Sequence, residues 1–122
     1  MKAGSKIYIA GPMRGCSLFN FQKFFFFAEW LEYSGYEVLN PAAADVERMF
    51  KSGWQFDESN YEEVLAFDLA WITAQADALF LLDGWEHSEG AKREKALAEN
   101  LGLPWFEAKN AKIGSTIVLE EK

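Results

Sequence analysis

The chain has 122 residues, half of them hydrophobic and 16% aromatic, which is enough apolar material for one domain with a real core and excludes a disordered chain. A formal charge of −7 argues against a nucleic-acid polymer as partner, since such binding neutralises many phosphates, but leaves room for one small anion held by an arginine and a few backbone N–H groups. One cysteine and one histidine exclude a disulfide framework, a Cys/His zinc site and, unless His87 is the base, a Ser-His or Cys-His hydrolase.

In chain order, Lys6 to Ala10 reads as a buried strand ending in a tight loop, Gly11-Pro12-Met13-Arg14-Gly15. Ser17 or Asn20 caps the helix that follows, which runs to about Tyr33 and stops at Ser34-Gly35. Phe24 to Phe27 are consecutive in that helix and, at about 100° per residue, cannot share one face. An outward Phe beside Phe21 and Trp30 suggests a subunit interface, so a homodimer or higher homo-oligomer is expected; the alternative is a helix sandwiched between sheet and loop. Tyr36 to Leu39 resembles a second strand, closed by Asn40-Pro41. From Pro41 to Asn60 the pattern is poor. Ala42 to Met49 allows a helical turn before Ser52-Gly53, and the stretch reads as a long loop of a kind that is often functional. A helix over Tyr61 to Gln75, a strand over Ala78 to Leu82, a helix from Ser88 to about Asn100 and a strand around Leu103 to Phe106 complete the alternation, with Ile117 to Leu119 as a final short strand. Neither a signal peptide nor an apolar run of membrane length is visible, so a reducing cytoplasm and no membrane partner are expected.

This alternation predicts a single α/β domain over residues 1–122: a small Rossmann-like or flavodoxin-like three-layer sandwich with a mostly parallel sheet of four or five strands. Ligands in such sheets bind beyond the carboxyl ends of the strands. The Gly11 loop, the segment from Asp83 to Ser88 and the start of the helix carrying Glu94 all fall there.

Two acids sit on apolar helix faces. Around Asp68 the positions three and four residues away are Val64, Leu65, Trp71 and Ile72; around Glu94 they are Gly90, Ala91, Leu97 and Ala98. A buried charge costs several kcal/mol unless it is paired or opens onto a cleft, so each acid needs a partner, a proton or a ligand; a structural ion pair is the plainer alternative for either one. Gly11 and Gly15 flank Arg14, a pattern that lets backbone amides and a guanidinium meet an anion, although Gly-Pro is also a common turn. Ser88 either caps its helix or helps the helix N-terminus hold phosphate, and the two roles are compatible.

These residues resemble the nucleoside 2-deoxyribosyltransferase-like proteins, a family that includes deoxynucleoside 5′-monophosphate N-glycosidases and related small phage proteins. The resemblance covers most of the chain. It rests on Ile7-Tyr8-Ile9-Ala10-Gly11-Pro12-Met13-Arg14-Gly15, on Asp68-Leu69-Ala70-Trp71-Ile72 followed by Ala76-Asp77, and on Ser88-Glu89-Gly90 leading to Glu94 and Ala98. It implies that Glu94 is a nucleophile attacking the anomeric carbon of the sugar, that Asp68 is a second acid orienting base or nucleophile or handling the leaving-group proton, and that Tyr8 lines the sugar site. The chemistry agrees: loss of a base passes through an oxocarbenium-like state that a carboxylate stabilises, a position near a helix N-terminus favours the ionised nucleophile, and Gly90, Ala91 and Ala98 leave room for a sugar ring. Where relatives acting on free nucleosides carry an acid, this chain has Ser88, as the monophosphate glycosidases do. With Arg14 this points to a nucleoside 5′-monophosphate and to water as acceptor, without metal or organic cofactor. A pocket that binds nucleotide without turnover is the alternative. The family often completes its site from a neighbouring subunit's tail, for which Asn110 and Ser115 are the candidates here; Trp54 and Phe56, where the resemblance is silent, are candidates to stack on the base.

Overall fold

A strand covered by helices on both faces must be apolar on both faces, and β1 (Lys6–Ala10) is buried from Ile7 onward. The computed structural model describes residues 1–55 and 58–121. In it, β1 lies inside a four-stranded sheet of order β2-β1-β3-β4, formed with β2 (Glu37–Leu39), β3 (Ala78–Leu81) and β4 (Trp105–Glu107). Every pairing is parallel, and Tyr8 stands between Leu39 and Leu79 in register. The fold is α/β, as predicted, and conforms to a small Rossmann-like or flavodoxin-like sandwich. Helix α1 (Phe21–Tyr33) joins β1 to β2; α2 (Pro41–Ser52) and α3 (Tyr61–Gln75) lead back across to β3; α4 (Glu89–Asn100) joins β3 to β4. Because the chain leaves β1 toward β2 and then returns to β1's other side, the strand order reverses at the β1/β3 boundary, where such folds open a crevice.

Alternation along β1 feeds two cores. Ile7 and Ile9, with Phe80 of β3, pack against Phe24, Ala28 and Leu31 of α1. Tyr8 and Ala10, with Leu79 and Leu81, pack against Ile72 of α3 and Ala91 and Ala98 of α4. The Phe run divides as helical rotation requires: Phe24 is 1% exposed, Phe27 stacks on Trp30, and Phe25 and Phe26 face outward.

Three expectations are corrected. The stretch after Asn40 is a helix of three turns, not a loop. The Asn40 side chain accepts the Ala42 N–H at 3.0 Å, Pro41 occupies the first turn, and Gly53 closes the helix in the left-handed conformation at φ 69°. The helical spacing is present in the sequence, with Ala42, Val46, Met49 and Phe50 on one stripe, but the residues packed inward are Pro41, Ala42 and Asp45, so the buried face is not the apolar one. Ile117 to Leu119 adds no strand: its backbone N–H groups donate to side chains, Ile117 to Ser34 Oγ at 2.8 Å and Leu119 to the Tyr36 hydroxyl at 3.1 Å, while the Ile117 and Leu119 side chains bury into the α1 core. Asn20 occupies the cap position of α1 without capping it. Its backbone is left-handed, at φ 60°, and its Nδ2 instead donates to the Pro12 carbonyl at 2.9 Å, tying the loop after β1 to the helix start. Ser17 makes no cap either, falling in the short turn before α1.

Candidate active site

On β1, alternation turns Tyr8 away from α1 and toward α3 and α4, where the helical periodicity of each brings one acid inward. Asp68 is 8% exposed and Glu94 6%. The Tyr8 hydroxyl donates to Glu94 Oε2 at 2.5 Å, and the Tyr8 ring meets Trp71 edge-on at 5.8 Å. Burial chiefly, and then the charge of Asp68, raise the Glu94 carboxyl to about 8; the Tyr8 hydrogen bond pulls the other way. Burial, and then the charge of Asp45, raise Asp68 to about 7. The same burial, with the two carboxylates beside it, holds the Tyr8 phenol well above its ordinary value, so it remains a donor. The expected help from the helix N-terminus is small: Glu94 lies in the second turn of α4, beyond the reach of the terminal dipole, and burial raises its carboxyl instead.

Asp45 of α2 and Tyr61 of α3 escaped the sequence reading. Asp45 is 1% exposed, with Oδ1 on Arg48 Nη1 at 3.1 Å and Oδ2 without a hydrogen-bond partner among the described residues. Burial raises its carboxyl to about 6, against the pull of Arg48 and Arg14. The buried Tyr61 hydroxyl and Asp68 Oδ1 also lack partners among the described residues. Such groups cost about 1–3 kcal/mol each unless a ligand or water satisfies them. The signal for Tyr61 was its place at the start of the Asp68 helix; Asp45 was missed because its helix was read as a long loop with at most one turn.

Tyr8, Asp68 and Glu94 line a cavity of about 500 Å³, within the range of small-molecule sites. Leu65, Tyr61, Gly90, Arg14, Ser88, His87 and Glu89 also line it. Ser88 fills both expected positions, facing the cavity and capping α4 through a 3.2 Å hydrogen bond from the Ala91 N–H. Arg14 donates to Asn60 Oδ1 at 2.9 Å and stacks its guanidinium 5.1 Å from the Tyr61 ring centre, which fixes a positive charge on the wall. Gly11 lines the cavity for a packing reason as well: a Cβ there would come within 2.8 Å of Leu82 Cβ. Gly15 does not line it; with φ at +82° it serves the turn, not the ligand. Trp54 is away from the cavity, with Arg48 5.7 Å over its ring, and Phe56 lies outside the described residues. Asn110 and Ser115 border a separate groove beside β4.

Among the described residues, no group of three acids, histidines or cysteines is arranged to hold a metal ion, and no helix is long and apolar enough to cross a membrane. What the arrangement offers is one pocket lined by two buried carboxylates, one of them held by a tyrosine, and by an arginine, a serine and a helix N-terminus.

Residues 5–106 match the family described as a domain of unknown function (DUF4406), and the chain belongs to that family. No curated protein matches it.

Proposed function

We propose that this protein cleaves the N-glycosidic bond of a nucleoside 5′-monophosphate, by hydrolysis or by deoxyribosyl transfer, through a covalent glycosyl-Glu94 intermediate. The observation that carries the reading is one pocket holding both the Tyr8–Glu94–Asp68 cluster and the Arg14–Ser88 end. Ser88 and Glu94 are six residues apart on α4, about 9 Å along the axis at about 1.5 Å per residue. Since helical side chains lean toward the N-terminus, the Glu94 carboxylate reaches back along that span, which suits a pentose with its 5′-phosphate at Ser88 and its anomeric carbon at Glu94.

In the proposed reaction a Glu94 oxygen forms a bond to the anomeric carbon as the carbon–nitrogen bond to the base breaks. The bonding pair leaves with the base, which takes a proton from Asp68. Positive charge on the ring develops beside a carboxylate in a site poor in water, where electrostatic stabilisation is strong. Water, or a second base in a transfer, then attacks the anomeric carbon, loses its proton to Asp68 and frees the Glu94 carboxylate. Tyr8 holds the nucleophile in line. Arg14, Ser88 and the α4 amides receive the phosphate, where an acid at position 88 would repel it. A nucleotide substrate fits the expected cytoplasmic setting, and the outward Phe25 and Phe26 support the expected homo-oligomer.

The test is to incubate the protein with each deoxy- and ribonucleoside 5′-monophosphate and follow free base, with Glu94→Ala as control. Base release that depends on Glu94 is the expected result. Tight nucleotide binding without release would instead favour a nucleotide-binding module, a reading that the raised carboxyl of Glu94 also suits.

A further inference from the structure

Tyr8, Tyr61 and Ser88 line the pocket with hydroxyl groups, and the reaction above uses the first and the last. Tyr8 donates to Glu94 and Ser88 accepts the Ala91 N–H, whereas the buried Tyr61 hydroxyl has no partner among the described residues. A phenylalanine would fill the same space without an unmet polar group, so the hydroxyl needs an explanation. Three elements fix where it stands. Tyr61 is the first residue of α3, seven positions before Asp68 and about 10 Å from it along the axis at about 1.5 Å per residue. The Arg14 guanidinium of the β1 loop lies 5.1 Å over its ring, held by Asn60 Oδ1 at 2.9 Å. A Cβ at Gly90 would lie 3.6 Å from the Tyr61 hydroxyl oxygen, which sets that oxygen beside the first turn of α4. There the first bond within the helix runs from the Lys92 N–H to the Ser88 carbonyl at 2.9 Å, so the N–H groups of Glu89 and Gly90 precede it and have no helix carbonyl to meet.

The geometry points to Tyr61 as a specificity-determining residue that donates its hydroxyl proton to an oxygen of the substrate's 5′-phosphate. The inference rests on the proposed reading of the pocket as a nucleotide site and adds to it a neutral, directional donor. Around the Tyr61 hydroxyl stand other donors: the Arg14 guanidinium and the first N–H groups of α4. Glu89, the acid of the same turn, is exposed and paired with Lys92 at 2.8 Å. Glycine at position 90 belongs to the same device, because with no side chain there the hydroxyl and the Gly90 N–H open onto one space. A phosphate brings three acceptor oxygens to these donors, where a sugar ending in a 5′-hydroxyl brings one. A site built to hydrogen-bond a group discriminates strongly against the analogue that lacks it, since its own buried donors are then left unpaired.

The experiment is titration calorimetry of wild-type protein, Tyr61→Phe and Gly90→Ala with 2-deoxyribose 5-phosphate and with 2-deoxyribose, together with thermal unfolding of the unligated proteins. Neither probe has an N-glycosidic bond, so failure of base release from nucleotides would remove the proposed reaction without touching this result. Tyr61→Phe is expected to bind the 5-phosphate about tenfold more weakly than wild type, the loss of one hydrogen bond to a charged group, with no such loss for 2-deoxyribose. Its melting temperature without ligand is expected to equal or exceed that of wild type, because the hydroxyl it lacks had no partner there; a merely structural hydroxyl would lower it. Gly90→Ala, whose methyl meets the hydroxyl at ordinary contact distance, is expected to fold and to show the same selective loss. Equal 5-phosphate affinity in wild type and Tyr61→Phe, an equal loss for both sugars, a lowered melting temperature of unligated Tyr61→Phe, or a wild-type protein that does not bind the 5-phosphate overturns the inference. If Tyr61→Phe does not fold, an unchanged 5-phosphate affinity in Gly90→Ala overturns it alone.

Discussion

The two faces of β1 are built from neighbouring residues and do opposite things. Ile7 and Ile9 turn toward α1 into a wholly apolar contact with Phe24, Leu31 and Phe80, of which only Ile9 and Phe24 reach the cavity. Tyr8 and Ala10, one residue out of step, turn toward α3 and α4, where the layer contains Tyr8, Asp68 and Glu94 and borders a cavity. The first face removes apolar surface from water, at roughly 25 cal/mol per Å². The second gives up part of that gain to keep acids dry and close together, which is the cost expected of the glycosidic chemistry proposed for it.

Substitutions on the two faces therefore separate activity from stability. On the site face, Glu94→Ala is expected to lower kcat for base release by on the order of a thousandfold or more while leaving the fold intact, as checked by turnover assay and circular dichroism. On the dry face, Phe80→Ala is expected to cost about 3–5 kcal/mol in denaturant unfolding, because a fully buried aromatic leaves a cavity that the sheet cannot collapse around. If the Glu94 variant unfolds as readily as the Phe80 variant, the division between the faces is wrong.

The pH dependence of stability probes the same division. Asp45, Asp68 and Glu94 are raised to about 6, 7 and 8, above the values of about 3.9 and 4.3 that Asp and Glu have in an open chain. Between those limits the folded protein holds protons that the unfolded chain has lost, so stability falls as pH rises from about 4 to about 8. The loss is expected to be on the order of a few kcal/mol. Glu94→Gln, which carries no ionisable group there, is expected to match wild type near pH 5 and to exceed it in thermal stability near pH 8. A wild-type melting temperature that rises over this range would contradict the burial and repulsion assigned to the site face.

A smaller effect tests the far end of the pocket. Ser88→Asp keeps a good helix cap, so stability is expected to hold, while the added charge is expected to weaken nucleoside 5′-monophosphate binding about tenfold or more and leave nucleoside binding in place. Equal monophosphate affinity in calorimetry would remove Ser88 from the phosphate role.

What was legible in the sequence followed from how each residue announces its surroundings. Asp68 and Glu94 were visible because their neighbours at helical spacing are apolar or small, and the strands because short apolar runs end in Gly or Asn-Pro. Helix α2 was missed although Ala42, Val46, Met49 and Phe50 recur at helical spacing, because few of its residues are strongly apolar and Asp45 lies off that stripe, and with it went the third acid of the cluster. Gly15 looked like part of an anion loop because a turn glycine and a ligand-binding glycine are the same letter; only its place outside the cavity separates them. The final segment read as a strand because Ile117 and Leu119 alternate inward, although side chains of Ser34 and Tyr36, not a neighbouring strand, receive its N–H groups.

The central claim is that Glu94 becomes covalently bonded to the sugar, and mass spectrometry of protein quenched during turnover with a nucleoside 5′-monophosphate tests it most directly. The expected result is a pentose-phosphate adduct on the peptide containing Glu94, absent in Glu94→Ala. Base release at the wild-type rate by Glu94→Ala, or an adduct on another residue, would contradict it.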